Sequence, residues 1–487
     1  MSPLLILLCI ASYFSFLLLI AWFTSRNASN AAYFLGNKAS PWYAVAFGLI
    51  GDSLSGVTFI SVPGQVAAAQ FSYFQIVLGY VLGYVVIAQL LLPLYYRLNL
   101  TSIYSYLRER FGPLSQKTGS LFFLLSRTTG AAARLYLAAN VIQFFVFDRW
   151  HIPFWFTVGS IILLILVYTV KGGIRTLVWT DTFQSTFLLL GVVLSIAAIA
   201  SELDLGITQM VGVIHRSEYG QIFFWDWHDR RYFWKQFFSG AFIAIVMTGL
   251  DQNMMQKNLS CRSLKDAQKN IYWFTVVMVF VNALFLSLGA LLYHYAKLKG
   301  IEIPKETDRL FPMLALQHLG SFAAIVFIIG LTAATFSSAD SVLTTLTTSF
   351  CIDILGIDQK AAMTEPEKTS LRHKVHLTFA LVLLLVILGF KILNTDAVIN
   401  AIFTLASYTY GPLLGLFAFG LFSRSRVKDR FVPIICLLSP VLCFALNAKS
   451  VEWLHGYQFG FELLILNGLL TYSGLCLIRK RQREQKS

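Results

Sequence analysis

Residues 331–350, LTAATFSSADSVLTTLTTSF, decide how this chain is read. They follow the apolar run 322–329 and are apolar enough to continue it through a membrane. Yet they carry Thr332, Thr335, Ser337, Ser338, Asp340, Ser341, Thr344, Thr345, Thr347 and Thr348. At about 100° per residue, Ala334, Ser337, Ser338 and Ser341 share one face of a helix. That face offers hydroxyls and a small residue that leaves a main-chain carbonyl reachable, oxygen chemistry suited to a hard cation. Hydroxyls also serve simply to join helices in a membrane. Asp340 tips the balance, because a carboxylate inside a bilayer is costly to keep without a function.

The rest of the composition agrees. The chain has 487 residues, 57% hydrophobic and 13% charged, with a mean hydropathy of +0.67. This excludes an ordinary soluble globule and predicts an all-α, polytopic membrane protein. The 42 phenylalanines suit lipid-facing and interfacial positions. The net charge of +14 is spread over short loops, which points to membrane topology rather than to nucleic acid. Cys9, Cys261, Cys351, Cys436, Cys443 and Cys476 are scattered, with no metal or disulfide spacing. The first run, 3–23, lacks a basic start and a small-residue cleavage site, and is read as a retained helix.

About 13 apolar runs of spanning length follow one another, at 3–24, 41–65, 71–97, 117–147, 153–170, 176–200, 233–257, 269–296, 320–352, 373–394, 397–422, 431–448 and 458–478. An N-out, C-in topology places roughly 25 Lys/Arg inside against roughly 11 outside. The inside set includes Arg26, Arg97, Lys117, Lys171, Arg175, Lys257, Arg262 and the tail residues Arg479, Lys480, Arg481, Arg483 and Lys486. Two predicted outside segments exceed a turn. Residues 201–232 contain FFWDWHDRRYFW and read as an interfacial cap, with His228 and Asp226 as a weak metal pair. Residues 297–320 contain DRLFPMLALQHLG, read as an amphipathic helix on the outer surface. No phosphate loop, HExxH or nucleophile elbow is present, so the chain is not read as an enzyme.

The second run, AFGLIGDSLSGVTFISVPG, complements the opening stripe. It holds Gly48, Gly51, Gly56 and Gly64 with Asp52, Ser53, Ser55, Thr58 and Pro63. Glycine and proline at this density predict a helix broken near the midplane, tolerated only where it lines a protein cavity. Close packing against a neighbour accounts for the glycines but not for Asp52.

With both helices in view, the chain resembles the sodium:solute symporter family, kin of the sodium/glucose, sodium/proline and sodium/sialic acid cotransporters. The resemblance covers nearly the whole chain. YFLGNKAS looks like the family's entry segment, GGIRTLVWTDTFQ (172–184) its GG…TDxxQ signature and GLDQNMMQK (249–257) its DQxxxQ+ signature. FPMLALQHLG precedes AATFSSADS as FPxL precedes the family's SS-containing helix, and GPLLGLFAFGLF (411–422) resembles a late core helix.

The resemblance implies a leucine-transporter-type fold within a single transporter domain, 1–487. Its two inverted five-helix repeats fall at 41–200 and 233–422, with one extra helix before them at 3–24 and two after at 431–478. It implies a sodium-coupled symporter importing a small organic solute by alternating access. The expected setting is a multi-pass protein of the cell (inner) membrane, functional as a monomer. The main sodium site would use carbonyls of Gly51, Leu54 and Ala334 and hydroxyls of Ser337 and Ser338. A second sodium site, found in some members, falls on Asp181, Asp340 and Ser341. Asp340 stands where the sialic acid branch has a serine, and an ion pair of Asp181 with Arg175 or Lys171 is the other reading. Solute contacts map to Ser55 and Thr58, with Gln75 nearby in sequence.

Arg127 and Arg134 lie one turn to either side of Gly130, the position where the sialic acid branch keeps its carboxylate-binding arginine. Either arginine could grip an anionic solute, such as a sugar acid, or pair with Asp52 or Asp340. Thr58 replaces the glutamine of the glucose-binding members, so a sugar contact of that type is not expected. Two other classes remain open at this point: proton coupling through Asp181 and Asp340, against which intact Ser337 and Ser338 argue, and a transporter-like membrane sensor. No signalling module follows the last run.

Overall fold

The structure, a computed structural model, describes residues 3–25, 29–360, 362–393, 398–453 and 456–480. Arg26, Arg481, Arg483 and Lys486, counted above among the inside basic residues, lie outside the described residues, as does the predicted junction at 394–397.

Long uninterrupted apolar sequence inside a membrane has one local solution, because only a helix satisfies every main-chain group within its own segment. Among the described residues every regular element is accordingly helical, with two isolated β-bridges. In chain order the principal helices are α1 (Pro3–Thr24), α2 (Trp42–Ser53), α3 (Gly56–Gly64), α4 (Tyr73–Arg97), α5 (Pro113–Ile142), α6 (Phe154–Glu202) and α7 (Phe233–Gly249). There follow α8 (Gln252–Leu259), α9 (Leu264–Leu298), α10 (Gly320–Ile354), α11 (Glu365–Leu393), α12 (Val398–Phe422), α13 (Val432–Ala448) and α14 (Leu463–Leu477). Eight of these are long and apolar enough to cross a membrane, or ten if each of two bent pairs is one span.

The bent pairs organise the interior. α2 and α3 meet at 53°, as the glycines of the second run predict, and α7 and α8 meet at 62°. This second break was not anticipated, although its sequence carries a signal. Gly249 precedes Asp251, whose carboxylate caps α8 by accepting from the Met254 N–H at 3.2 Å. The predicted runs 153–170 and 176–200 are the two halves of α6, joined at Gly173. Its φ of 53° and ψ of −150° suit glycine, and a Cβ there would lie 2.5 Å from the Cα of Tyr33.

Helix α10 packs along α6 and is buried on every side from Leu331 to Ser349. Its polar residues therefore all face protein, and the stripe is one sector of a wholly enclosed helix. In the 201–232 segment, read as a cap, Trp225 and Trp227 are each 64% exposed. His228 Nδ1 lies 3.2 Å from Asp226 and its ring lies against Trp227, and no group of metal-ligating residues occurs among the described residues. The surface-helix reading of 297–320 is corrected. Leu310, Phe311 and Pro312 are buried, and Phe311 packs on Phe59 and Phe327, because the apolar side of this short segment plugs into the core.

Helices α4 and α7 approach through small residues, as helices in membranes commonly do. A Cβ on Gly240 would sit 2.1 Å from the Ile76 carbonyl oxygen, a backbone atom that cannot swing aside. Gly240→Val is expected to cost on the order of 3 kcal/mol through overpacking. Its thermal midpoint in detergent should fall well below wild type. Gly159→Ala, with nothing within 4 Å of the new methyl, should melt as wild type does.

Candidate functional site

The break between α2 and α3 begins where the Leu54 N–H bonds to the Ile50 carbonyl at 2.8 Å. Leu54 then leaves helical geometry (φ −96°, ψ 70°) and Ser55 runs extended before α3 starts. Among the described residues no backbone N–H reaches the carbonyls of Gly51 or Leu54. Two main-chain acceptors thus lie free at the break.

Gly51 faces α10 directly. A Cβ at Gly51 would lie 2.6 Å from Ser337 Oγ and 2.5 Å from Ser185 Oγ, so the missing side chain is what lets the break approach. Ser337 is fully buried and its hydroxyl has no partner. Ser338 Oγ bonds the Ala334 carbonyl at 3.1 Å. The structure thus sets Gly51 against Ser337, with Leu54 at the break and Ala334 and Ser338 on the facing helix. An orphaned buried hydroxyl beside free carbonyls is a donor set that a hard monovalent cation fits.

One turn along α10 lies a charged cluster that sequence reasoning only half saw. Ser341 Oγ donates to Asp181 Oδ2 at 3.3 Å. Asp340 accepts from the Tyr168 hydroxyl at 2.8 Å and the Ser341 N–H at 2.6 Å. The partner of Asp181 is neither Arg175 nor Lys171. It is Lys257, whose ammonium binds Asp181 Oδ2 and, at 2.6 Å, Asp52 Oδ2. The charge count had put Lys257 in an inside loop; it is 0% exposed, because α8 turns it inward to two carboxylates that no other base among the described residues reaches. Asn253 supports the arrangement, donating to Asp52 at 3.2 Å and accepting from Thr345 at 2.9 Å. Asp52, an aspartate in a predicted span with no base nearby in sequence, was the available sign that a base had been misplaced.

Beside the break a cavity is bordered by Asp52, Ser55, Thr58, Tyr73, Arg127 and Arg134, among others. The two arginines differ. Arg127 Nε binds Asp251 Oδ2 at 2.6 Å, Tyr410 donates to the same oxygen, and Arg127 also reaches the Met247 carbonyl at 3.3 Å. Its partner is thus Asp251 rather than Asp52 or Asp340. Arg134 is half-buried and makes no ion pair or hydrogen bond among the described residues. Gln75 does not join the cavity. Its amide donates to the Arg231 carbonyl at 2.8 Å and accepts from the Phe224 N–H at 3.2 Å, fastening the 201–232 segment to α4.

Comparison with known proteins agrees with this geometry. A model of the sodium:solute symporter family matches residues 33–430. The sodium/sialic acid symporter NanT of Aliivibrio fischeri is 24% identical over 92% of this chain and 89% of its own. SiaT of Proteus mirabilis, also a sodium/sialic acid symporter, is 24% identical over 94% and 93%. Mouse sodium-coupled monocarboxylate transporter 1 is 25% identical over 80% of this chain and 64% of its own. A substrate-bound, outward-open sodium-coupled sialic acid symporter superposes with a TM-score of 0.83 at 21% identity, covering 98% of both chains. The fold is therefore that of this transporter.

The Arg127–Asp251 pair is buried, so removing one partner strands the other. Arg127→Gln is expected to lose about 3–5 kcal/mol of stability, the range for a broken buried pair. The double variant Arg127→Gln with Asp251→Asn should recover much of the loss when both are compared in thermal melts.

Proposed function

The chain belongs to the sodium:solute symporter family and is a sodium-coupled solute symporter, and we propose that its solute carries a carboxylate held by Arg134. The observation that carries this reading is the contrast between the arginines. Arg127 is spent on Asp251, whereas Arg134 borders the same cavity with no protein anion to meet. A guanidinium without a partner beside a cavity is suited to bidentate recognition of a carboxylate. Ser55 and Thr58, on the α3 side of the break, border the cavity and supply hydroxyls for the rest of the solute. The sialic acid and monocarboxylate carried by the relatives named above are both anions, which supports the class without selecting a member.

Sodium in this reading lies across the break, on the carbonyls of Gly51, Leu54 and Ala334 and the hydroxyls of Ser337 and Ser338. The free carbonyls and the unpartnered Ser337 hydroxyl support it. Neutral oxygens suit an ion that must also leave. The repeats proposed at 41–200 and 233–422 are supported by the position of the breaks, since a bent helix pair opens each of them. About 13 spans with the N-terminus outside follow if α6 crosses twice and α5 and α14 also cross. We place the protein, as a monomer, in the lipid bilayer of the cell (inner) membrane.

Uptake into proteoliposomes of labelled sugars, sugar acids, amino acids and vitamins, with and without a sodium gradient, tests the reading. Ser338→Ala should raise half-saturating sodium sharply while changing solute affinity much less at saturating sodium, since linkage passes through the ion. Unchanged sodium dependence would remove Ser338 from the site. Arg134→Gln should weaken a carboxylate-bearing solute by roughly 30- to 1,000-fold, about 2–4 kcal/mol, with sodium binding retained. An uncharged sugar as best substrate would overturn the assignment of Arg134.

A further inference from the structure

We propose that the ammonium of Lys257 is a tethered cation that fills the Asp181–Ser341 pocket, so that this chain binds a single sodium. The proposal rests on the sodium-symport reading above and concerns how many ions that symport uses.

Lys257 reaches the pocket from α8, the second half of a broken helix, and is 0% exposed. Its nitrogen contacts Asp181 Oδ2, the oxygen to which Ser341 Oγ also donates, and lies 2.6 Å from Asp52 Oδ2. An ammonium has three donors and no acceptor, so two carboxylate oxygens engage most of its capacity. A sodium placed on Asp181 Oδ2 as well would put two unit positive charges on one oxygen, in an interior that screens them poorly. The covalent cation has the advantage, because it cannot diffuse away.

The oxygens around the ammonium show what it keeps out. Asp181 Oδ1 and Asp52 Oδ1 are both buried without a partner. With the ammonium removed, Asp181 would have both carboxylate oxygens free beside the Ser341 hydroxyl, a donor set for a hard cation. Lys257 therefore decides between one and two sodium ions. Its contact with Asp52, which borders the solute cavity, also ties the pocket to the first broken helix.

The test is equilibrium binding of radioactive sodium to the purified full-length protein, read as ions per chain at saturation and as a Hill coefficient. Wild type should bind one sodium with a coefficient of one. Lys257→Arg should do the same. Lys257→Met should bind two, with the coefficient rising toward two. If Lys257→Met does not fold, Lys257→Met with Asp52→Asn removes one charge of each sign and should likewise exceed one sodium per chain. Two sodium ions on wild type, or only one on the folded methionine variants, overturn the proposal. A wild type that binds no sodium overturns instead the symport reading on which the proposal stands.

Discussion

A helix interrupted inside a membrane exposes main-chain groups that lipid cannot satisfy, and the remainder of this structure answers that constraint. Two breaks are present, at Leu54 and at Leu250. Each has an aspartate beside it, Asp52 before the first and Asp251 after the second. Asp251 closes its own break by capping α8. The first break is left open, with the carbonyls of Gly51 and Leu54 unpaired to backbone N–H among the described residues and its aspartate bound to Lys257. The difference assigns the two breaks different work: the second is sealed as architecture, and the first remains available to a ligand.

Both aspartates bring a desolvation cost that a buried basic partner helps to offset. Lys257 serves Asp52 and Arg127 serves Asp251, each from a different helix or half-helix. Buried pairs of this kind add little net stability but make loss of one member severe. They therefore act as constraints on arrangement. Asp52 cannot move far without dragging Lys257, nor Lys257 without Asp181, so α2, α6 and α8 are held in register around α10.

Much of this was legible before any coordinates. The polar stripe of α10, the glycine-rich break and the order of the family motifs each depend on local composition, which a sequence states openly. What stayed hidden depends on how elements turn toward one another. Lys257 follows an apolar run, so charge counting reads it as the start of a loop; only the 62° bend that aims α8 inward brings it to Asp181. Gln75 is near the solute contacts in sequence, but it sits in the first turn of α4 and faces the loop that α4 anchors. The segment 310–318, LFPMLALQH, follows a charged loop and reads as a surface helix, and its burial follows from aromatic neighbours, Phe59 and Phe327, on distant elements. Arg127 and Arg134 are equivalent in sequence terms, one turn on either side of Gly130, and differ only because Asp251 lies within reach of one of them.

That last contrast bears on how two ligands are coupled. The cavity and the proposed cation position would share a wall, the break itself: Leu54 and Ser55 border the cavity, and Gly51 faces Ser337. A cation drawn onto the carbonyls of the break would hold Leu54 and Ser55 in one conformation, and a solute resting against Ser55 and Thr58 would prefer that conformation too. Each ligand then favours the other's binding without touching it, which is all that thermodynamic linkage requires. If the solute is the anion proposed at Arg134, its charge would add to the effect by attracting a cation held at the break.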